Sequence, residues 1–307
     1  MFPSSSSRSS AFALLLALLL IAGAARAQEP VFHGAFTEDF SGSEPVYFSP
    51  NYRTSAYDSR YYCGLKSFTE PGTDIMLYRI DPEDPAGAGR GPEIISRDYT
   101  FYGSYSARLK APKAREVQPN VGAVVGYFTY NMEREAGLSE IDIEWLLADP
   151  RIIYLGTWTG RRGQLNRIGR TINLATGEIL ETIWRTDGSR NTPLAGRQNE
   201  PAQVAAIEGY DASAQFYTYG WDWYPDRLVW WIIHPETGEK VVLWDYAGET
   251  LFPGFPSEDG IPNNKTRYRL NFWHTNNWPV ETNPDSIEKP RYPYELEIDW
   301  MSYTPFD

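Results

Sequence analysis

The chain has almost none of the residues that build disulfide or transition-metal frameworks. Its 307 residues include one cysteine, Cys63, and three histidines. A single cysteine excludes an intramolecular disulfide, and the histidines form no HExxH-type pair, so no cysteine- or histidine-based zinc site is predicted. The fold must therefore be stabilised mainly by its core.

Positive charge is also scarce. Lys and Arg number 28 against 40 Asp and Glu, which gives a net charge of −12 and argues against nucleic acid as a partner, because phosphate binding needs a basic surface. Aromatic residues, in contrast, make up 15% of the chain, with 11 Trp and 21 Tyr, so disorder is not expected. The aromatic excess fits either a β-sandwich core or rings that stack on sugars, and composition alone favours the core.

Long apolar runs are absent except near the N-terminus. Arg8 precedes the apolar segment Ala11–Ala24, and Ala25-Arg26-Ala27 forms an A-x-A cleavage site. The run is too short for a transmembrane helix, although an uncleaved anchor is the alternative interpretation. We expect residues 1–27 to be a secretory signal whose removal takes the charge from −12 to −14, because Arg8 and Arg26 leave with it. The mature protein is then secreted, extracellular or periplasmic, without a membrane association.

Helical periodicity is nearly absent, and no repeat or linker divides residues 28–307, so we predict one domain there. Short aromatic or β-branched segments between turn residues predict an all-β sandwich. The predicted strands are Asp74–Ile80, Gly103–Lys110, Gly122–Tyr130, Ser139–Leu147, Ile152–Thr159, Phe216–Trp223, Leu228–His234, Lys240–Trp244, Arg267–Trp273 and Tyr294–Tyr303. Pro235–Glu239 predicts a hairpin turn, and Pro82–Pro92 and Pro253–Asn264 predict loops.

The segment Ser139–Leu147 carries three acids at alternate positions. Because side chains of a strand alternate between faces, Glu140, Asp142 and Glu144 share one face and the apolar residues between them share the other. A fully exposed strand would tolerate such a row. The neighbouring predicted strands are apolar and aromatic, however, so this strand is expected to be central and the acids call for a functional explanation.

Aligned carboxylates suit glycoside hydrolysis, which needs one nucleophile and one acid that protonates the leaving oxygen. The Cα atoms of Glu140 and Glu144 are expected about 13 Å apart, at about 3.3 Å per residue. Side chains that lean inward on a concave sheet would bring the carboxyls to about 5–6 Å, near the separation of retaining enzymes. Asp142 lies between them and could keep one proton in a cluster that titrates as a unit.

At these residues the chain resembles glycoside hydrolase family 16. The run Glu140–Glu144 has the E-x-D-x-E form without a bulge, which is typical of the licheninase and xyloglucan endotransglycosylase branches. Further segments are similar to the family over about two-thirds of the chain. They are Tyr102–Tyr105 with Leu109–Pro112, Gly126–Tyr130, Phe216–Pro225, Arg269–Trp273 and Glu297–Tyr303.

The resemblance implies a jelly-roll β-sandwich of two antiparallel sheets with a concave substrate cleft. By position, Glu140 would be the nucleophile, Glu144 the general acid/base and Asp142 the assisting acid of a retaining mechanism. The segment Tyr154–Trp158 departs from the licheninase pattern in having Gly156 and Trp158 where Asn and Tyr are usual. These departures leave the identity of the substrate open.

A second departure is the stretch Arg161–Pro201, which is longer than the compact loop of the family. The substrate-binding candidates are Tyr130, Trp158, Asn271, Trp273 and Trp278. The tryptophans among them could stack on sugar rings or belong to the core, and the asparagine could bind a sugar hydroxyl or a neighbouring strand. Trp223, Trp230 and Trp300 are assigned to the core.

Asp299 resembles the acid that holds a structural calcium in licheninases, and calcium prefers carboxylate and carbonyl oxygens. The chemistry itself requires no cofactor. The expected partner is a polysaccharide substrate, with no nucleic acid, and we expect a monomer.

The leading hypothesis is a secreted retaining endo-β-glycanase acting on a β-linked glucan, with mixed-linkage β-1,3-1,4-glucan as the best single substrate. One alternative is a xyloglucan-type transglycosylase or a hydrolase of another β-linked polysaccharide, such as an exopolysaccharide. An alternative of another class is a non-catalytic carbohydrate-binding jelly roll, against which the intact set of three acids argues.

Overall fold

The computed structural model describes residues 29–41, 45–54, 61–67, 74–80 and 90–307. Phe32–Asp307 forms one compact unit, and the preceding unit, Met1–Val31, is described only from residue 29 onward. The predicted signal segment 1–27 lies outside the described residues. Residues 82–89 of the predicted loop Pro82–Pro92 also lie outside them. The assignment of residues 28–307 to a single catalytic domain stays a prediction. Within the described ranges, no helix has the length and apolar character needed to cross a bilayer.

The described part of the chain contains seventeen strands and one short 3-10 turn, Gly196–Asn199. The strands are β1 Phe36–Glu38, β2 Phe48–Thr54, β3 Tyr61–Ser67, β4 Asp74–Ile80, β5 Arg90–Ser96, β6 Gly103–Lys110, β7 Ala123–Glu133, β8 Gly137–Leu146, β9 Ile152–Arg161, β10 Gln164–Asn173, β11 Glu178–Thr186, β12 Thr192–Pro193, β13 Tyr217–Tyr224, β14 Arg227–Ile233, β15 Lys240–Ala247, β16 Arg267–His274 and β17 Tyr294–Pro305. All ten strands predicted from the sequence are present, with small shifts at their ends.

The strands form two sheets. The cleft sheet has the order β12-β11-β10-β9-β8-β7-β16-β5-β2, and the opposite sheet has the order β15-β14-β13-β6-β17-β4-β3, with β1 on β17. Every strand pair within the two sheets is antiparallel. The prediction of an all-β sandwich of two antiparallel sheets is therefore confirmed.

Aromatic side chains from both sheets fill the space between them. Trp145 on β8 meets Tyr219 on β13 with ring centroids 4.7 Å apart, and Tyr127 on β7 meets Trp221 on β13 at the same distance. Such pairs prefer tilted or edge-to-face geometry and add to the free energy gained from burying their large apolar surface. Much of the aromatic excess is thus used in the sandwich core.

Two of the three tryptophans assigned to the core are fully buried, namely Trp223 and Trp230. Trp300 is only half-buried, so that prediction is wrong. The register of β17 against β6 shifts between Ile298 and Trp300, which marks a bulge. A bulge adds one residue to a strand and interrupts the alternation of faces, so a period of two read along the sequence mislocates the residues beside it.

The stretch Arg161–Pro201, interpreted as an extended loop, contains the strands β10, β11 and β12. Arg170 lies on the core face of β10 and is 1% exposed. Its guanidinium donates hydrogen bonds to the oxygens of Thr182, Asn199, Pro201 and Leu243. A charged residue at a core position breaks the apolar alternation by which a half-buried strand is recognised, and this explains the missed strand.

The predicted turn Pro235–Glu239 joins β14 to β15. The amide of His234 donates to the carbonyl of Glu239, and Gly238 takes the positive φ of 72° that such a turn requires. The predicted loop Pro253–Asn264 connects β15 to β16 without regular strand structure.

Candidate active site

The strand β8 lies near the middle of the cleft sheet, between β7 and β9. The residues that alternate with its acids point into the core, and Ile141, Ile143 and Trp145 are fully buried there. Glu140, Asp142 and Glu144, called the carboxylate row below, therefore share the other face. Asp142 is 7% exposed, whereas Glu140 and Glu144 are half-buried.

Each acid of the carboxylate row has one directly opposite residue on each flanking strand. The pairs are Tyr130 and Trp158 for Glu140, Phe128 and Gly156 for Asp142, and Gly126 and Tyr154 for Glu144. Directly opposite residues in a sheet have close Cβ atoms and share a face. Each acid therefore has at least one aromatic residue beside it, and a glycine leaves space on one side of Asp142 and of Glu144.

A cleft of about 730 Å³ lies over this face of the sheet. Its lining includes the carboxylate row, Tyr130, Trp158, Arg167, Arg185, Trp273 and Trp278. Of the five substrate-binding candidates, four thus line the same cleft as the three acids. Those four side chains are half-buried, so each keeps a surface on which a ligand can rest.

Asn271 is the candidate that does not reach the cleft wall. It lies on the same face of β16 as Trp273 and is directly opposite Gly126, which separates it from Glu144. A Cβ atom added at Gly126 would lie 2.5 Å from the Oδ1 atom of Asn271, so this glycine makes room for the amide. Within the described part of the chain that Oδ1 atom has no hydrogen-bond partner.

Burial and mutual repulsion keep protons on the carboxylate row. Burial, followed by the charges of Glu140 and Glu144, raises the pKa of Asp142 well above its ordinary value. Burial also raises the pKa of Glu144 to about 7. The charge of Arg167 opposes both shifts. Both shifts favour retention of a proton within the row, and a retained proton is what general acid catalysis needs.

The opposite sheet holds the middle of this strand in place. The indole Nε1 of Trp230 on β14 donates a hydrogen bond of 3.2 Å to the main-chain oxygen of Asp142. Trp230 is stacked on Trp244 with ring centroids 4.9 Å apart, so its orientation is fixed by packing. A backbone hydrogen bond from a fully buried ring restricts the strand from which the carboxylates project.

Several further side chains of the cleft were not among the predicted site residues. Tyr154 donates a hydrogen bond of 2.6 Å to Glu281, and its ring meets Trp278 edge-on at 4.8 Å. Arg167 and Arg185 come from β10 and β11, which were not predicted from the sequence. The alternation of β9 could have placed Tyr154 on the face of Trp158. The positions of the arginines depend on register between strands, which no local pattern reveals.

Asp299 lies on the opposite sheet, at the bulge of β17, and forms an ion pair with Arg108. The guanidinium of Arg108 also covers the ring of Phe216 at 4.8 Å. The described residues contain no group of three or more His, Cys, Asp or Glu side chains that could hold a metal ion. The carboxylate of Asp299, which Arg108 neutralises, does not fit a calcium ligand set. Binding of calcium was not tested, so the expectation stays a prediction.

No model of a known protein family matches the chain. Among curated proteins, it is similar to two β-glucanases of Acetivibrio thermocellus. One is 24% identical over 216 residues, which span 69% of this chain and 45% of the relative. The other is 26% identical over 167 residues, which span 54% of this chain and 35% of the relative. The matched residues thus span less than half the length of these curated relatives.

Among solved structures, the chain is similar to the β-glucanase of Bacillus licheniformis, with a TM-score of 0.52, 18% identity, and coverage of 89% of this chain and 99% of that one. A prokaryotic β-1,3-1,4-glucanase (lichenase) from a mouse hindgut metagenome gives a TM-score of 0.52, 18% identity, and coverage of 89% and 100%. At this level of identity the likeness concerns the fold. It confirms the predicted jelly-roll fold of two antiparallel sheets.

Proposed function

We propose that the chain is a retaining endo-acting glycoside hydrolase of family 16 type, secreted, that cleaves a β-linked glucan. The observation that carries the proposal is the carboxylate row on the floor of an aromatic cleft, with the pKa of Glu144 raised to about 7 by burial. The names of the curated relatives support β-glucan as the substrate class. Mixed-linkage β-1,3-1,4-glucan is the best single candidate.

In the first step, the ionised carboxylate of Glu140 attacks the anomeric carbon while Glu144 donates its proton to the glycosidic oxygen. The bond between the anomeric carbon and that oxygen breaks, and Glu140 becomes esterified to the sugar. In the second step, Glu144 removes a proton from water, the water oxygen attacks the anomeric carbon, and Glu140 is released. Two inversions leave the anomeric configuration unchanged.

The environment of each acid supports this division of roles. Glu144 has a pKa of about 7, which suits a group that must give a proton and later take one back near neutral pH. Asp142 is more buried and has a pKa well above its ordinary value, so it stays protonated and can donate to a neighbouring glutamate. Glu140, directly opposite Tyr130 and Trp158, is then left the role of nucleophile.

Aromatic rings at both ends of the carboxylate row support binding of a chain on both sides of the scissile bond. Trp158 is directly opposite Glu140, at one end. Trp278 packs on Tyr154, which is directly opposite Glu144 at the other end. A substrate that crosses the row could rest its sugar faces on both rings, as endo-action requires.

The decisive experiment is hydrolysis of lichenan by the full chain and by Glu140→Gln, with sizing of the products. We expect the substitution to reduce turnover by at least about a thousandfold, because no other group can form the ester. Glu135→Gln is the matched control, since Glu135 is exposed on the turn between β7 and β8 and does not line the cleft. It should keep wild-type activity.

Products of mixed medium length would indicate endo-action, and NMR of the first product formed would report retention of configuration. With lichenan oligosaccharides as the substrate, products longer than the starting material would instead identify a transglycosylase. Undiminished hydrolysis by Glu140→Gln, with the wild type and Glu135→Gln equally active, would refute the assigned mechanism.

A further inference from the structure

Two arginines lie in the cleft beside Trp158. Arg167 on β10 is directly opposite Trp158 on β9 and directly opposite Arg185 on β11. The guanidinium carbon of each arginine lies 5.5 Å from the centroid of the Trp158 ring. Since Trp158 is itself opposite Glu140, the order across the sheet from the carboxylate row outward is Glu140, Trp158, Arg167 and Arg185.

The two cations lie on neighbouring strands and repel each other in the free protein. Like charges directly opposite each other on neighbouring strands destabilise a sheet. Among the residues that the structure describes, neither guanidinium donates a hydrogen bond or lies within ion-pair distance of a carboxylate. The pKa of Arg185 is lowered by burial and then by Arg167, and the charges of Asp187 and Glu181 offset this only in part.

The backbone beneath Arg167 leaves room for its side chain to lie flat on the sheet. Gly169 is next on the same face, and a Cβ atom there would lie 3.3 Å from Nε and 3.4 Å from Nη2 of Arg167. Gly169 is directly opposite Gly156, which is opposite Asp142. The two adjacent glycines thus form a floor between Arg167 and the carboxylate row. Gly156 was one of the departures that left the substrate open.

The geometry points to a substrate that carries anionic substituents. In this interpretation Arg167 and Arg185 together hold a carboxylate or sulfate group on the sugar that binds beside Trp158. The inference rests on the proposed function for the position of the cleaved bond, and it specifies the substrate class beyond β-glucan.

Two physical arguments favour an anionic group over the hydroxyls of a neutral sugar. A guanidinium presents donors in a planar fork that matches the oxygens of a carboxylate or sulfate, and one anion between two cations removes their repulsion. In addition, a chain with a net charge of −12 repels an acidic polymer at long range, so such a polymer needs a local positive site.

The test measures binding without turnover, on the full chain carrying Glu140→Gln. The probes are lichenan, lichenan oxidised at C6 to the uronate, and sulfated lichenan, matched in length and compared by isothermal titration calorimetry. We expect at least one anionic polymer to bind about ten- to a hundredfold more tightly than lichenan, in a salt-dependent manner. The tighter of the two identifies carboxylate or sulfate as the group recognised.

Arg185→Gln in the same background should reduce that preference by about tenfold or more. Arg162→Gln is the matched control, because Arg162 is exposed on the turn between β9 and β10 and loses the same charge outside the cleft lining. It should keep the preference. Circular dichroism checks that each variant is folded, and Arg185→Lys, which keeps the charge, should keep part of the preference if Gln proves unfolded.

The inference is overturned if lichenan binds as tightly as both anionic polymers, or if Arg162→Gln and Arg185→Gln lose the preference equally. Its failure is distinct from that of the proposed function. Wild-type hydrolysis of lichenan with no anionic preference would refute the inference alone. An anionic preference that depends on Arg185, in a wild type that cleaves none of the three polymers, would refute the proposed function alone.

Discussion

The buried indole of Trp230 donates its hydrogen bond to the main-chain oxygen of Asp142, and thereby connects the opposite sheet to the middle of the carboxylate row. Trp244, on which Trp230 is stacked, makes the same kind of bond to the main-chain oxygen of Gln198, far along the chain from the row. The two stacked rings therefore offer a comparison between one bond that positions the site and one that only supports the fold.

We expect Trp230→Phe to lower kcat for glucan hydrolysis, because it removes the donor that restricts the carbonyl of Asp142 while it keeps most of the packing. Trp244→Phe should leave kcat near the wild-type value. Both variants should lose about 1 kcal/mol of free energy of unfolding, the usual contribution of one such hydrogen bond. Steady-state kinetics and urea unfolding measure the two quantities, and an equal kcat in both variants would contradict a positioning role for Trp230.

The pKa of Glu144 makes a prediction for the pH dependence of activity. Because this group must be protonated to act as the acid, kcat/KM should fall as the pH rises through about 7. Arg167 lowers the pKa of Glu144, so Arg167→Gln should move this alkaline limb to higher pH. Arg162→Gln, an exposed change of the same charge, should leave it in place. A limb that does not move in Arg167→Gln would exclude this electrostatic coupling.

The same pKa also has a consequence for stability. A carboxyl whose pKa is raised from 4.5 to about 7 binds its proton more tightly in the folded protein, so its contribution destabilises the fold increasingly between these two pH values. Glu144→Gln removes the ionisable group. The melting temperature of the variant relative to wild type should therefore be higher at pH 8 than at pH 4, by roughly a few degrees. A difference that is constant over this range would mean that Glu144 titrates normally.

Calcium at Asp299 can be tested directly. Since Arg108 already neutralises this carboxylate, we expect the melting temperature to be the same in calcium and in a chelator. If calcium raises the melting temperature and Asp299→Asn abolishes the increase, the calcium assignment made from the sequence is correct and the ion pair must open to admit the metal.

The carboxylate row could be predicted from the sequence because strand alternation is a local property with a period of two. Glu140, Asp142 and Glu144 fall on one face wherever the strand lies in the sheet. Arg167 and Arg185 could not be found in this way, because their position beside Trp158 depends on the register of three strands. Register is fixed by contacts between strands distant in sequence, so single-strand patterns do not contain it.

Arg170 explains why β10 was not predicted from the sequence. Its guanidinium lies on the core face of β10 and bonds to four oxygens, among them the main-chain carbonyl of Leu243 on the opposite sheet. Burial lowers its pKa to about 10, so it remains charged at neutral pH. A buried, charged side chain is tolerated here because those oxygens replace the water that it loses.

We expect Arg170→Met to lower the free energy of unfolding by about 3 kcal/mol, because buried oxygens are left without donors while the volume of the side chain is largely kept. Arg170→Lys should recover only part of the loss, since an ammonium group cannot reproduce the planar fork. Arg162→Met, on the exposed turn, is the control and should change stability by less than about 0.5 kcal/mol. Urea unfolding followed by tryptophan fluorescence measures all three, and equal stability of Arg170→Met and wild type would show that the charge is dispensable to the sandwich.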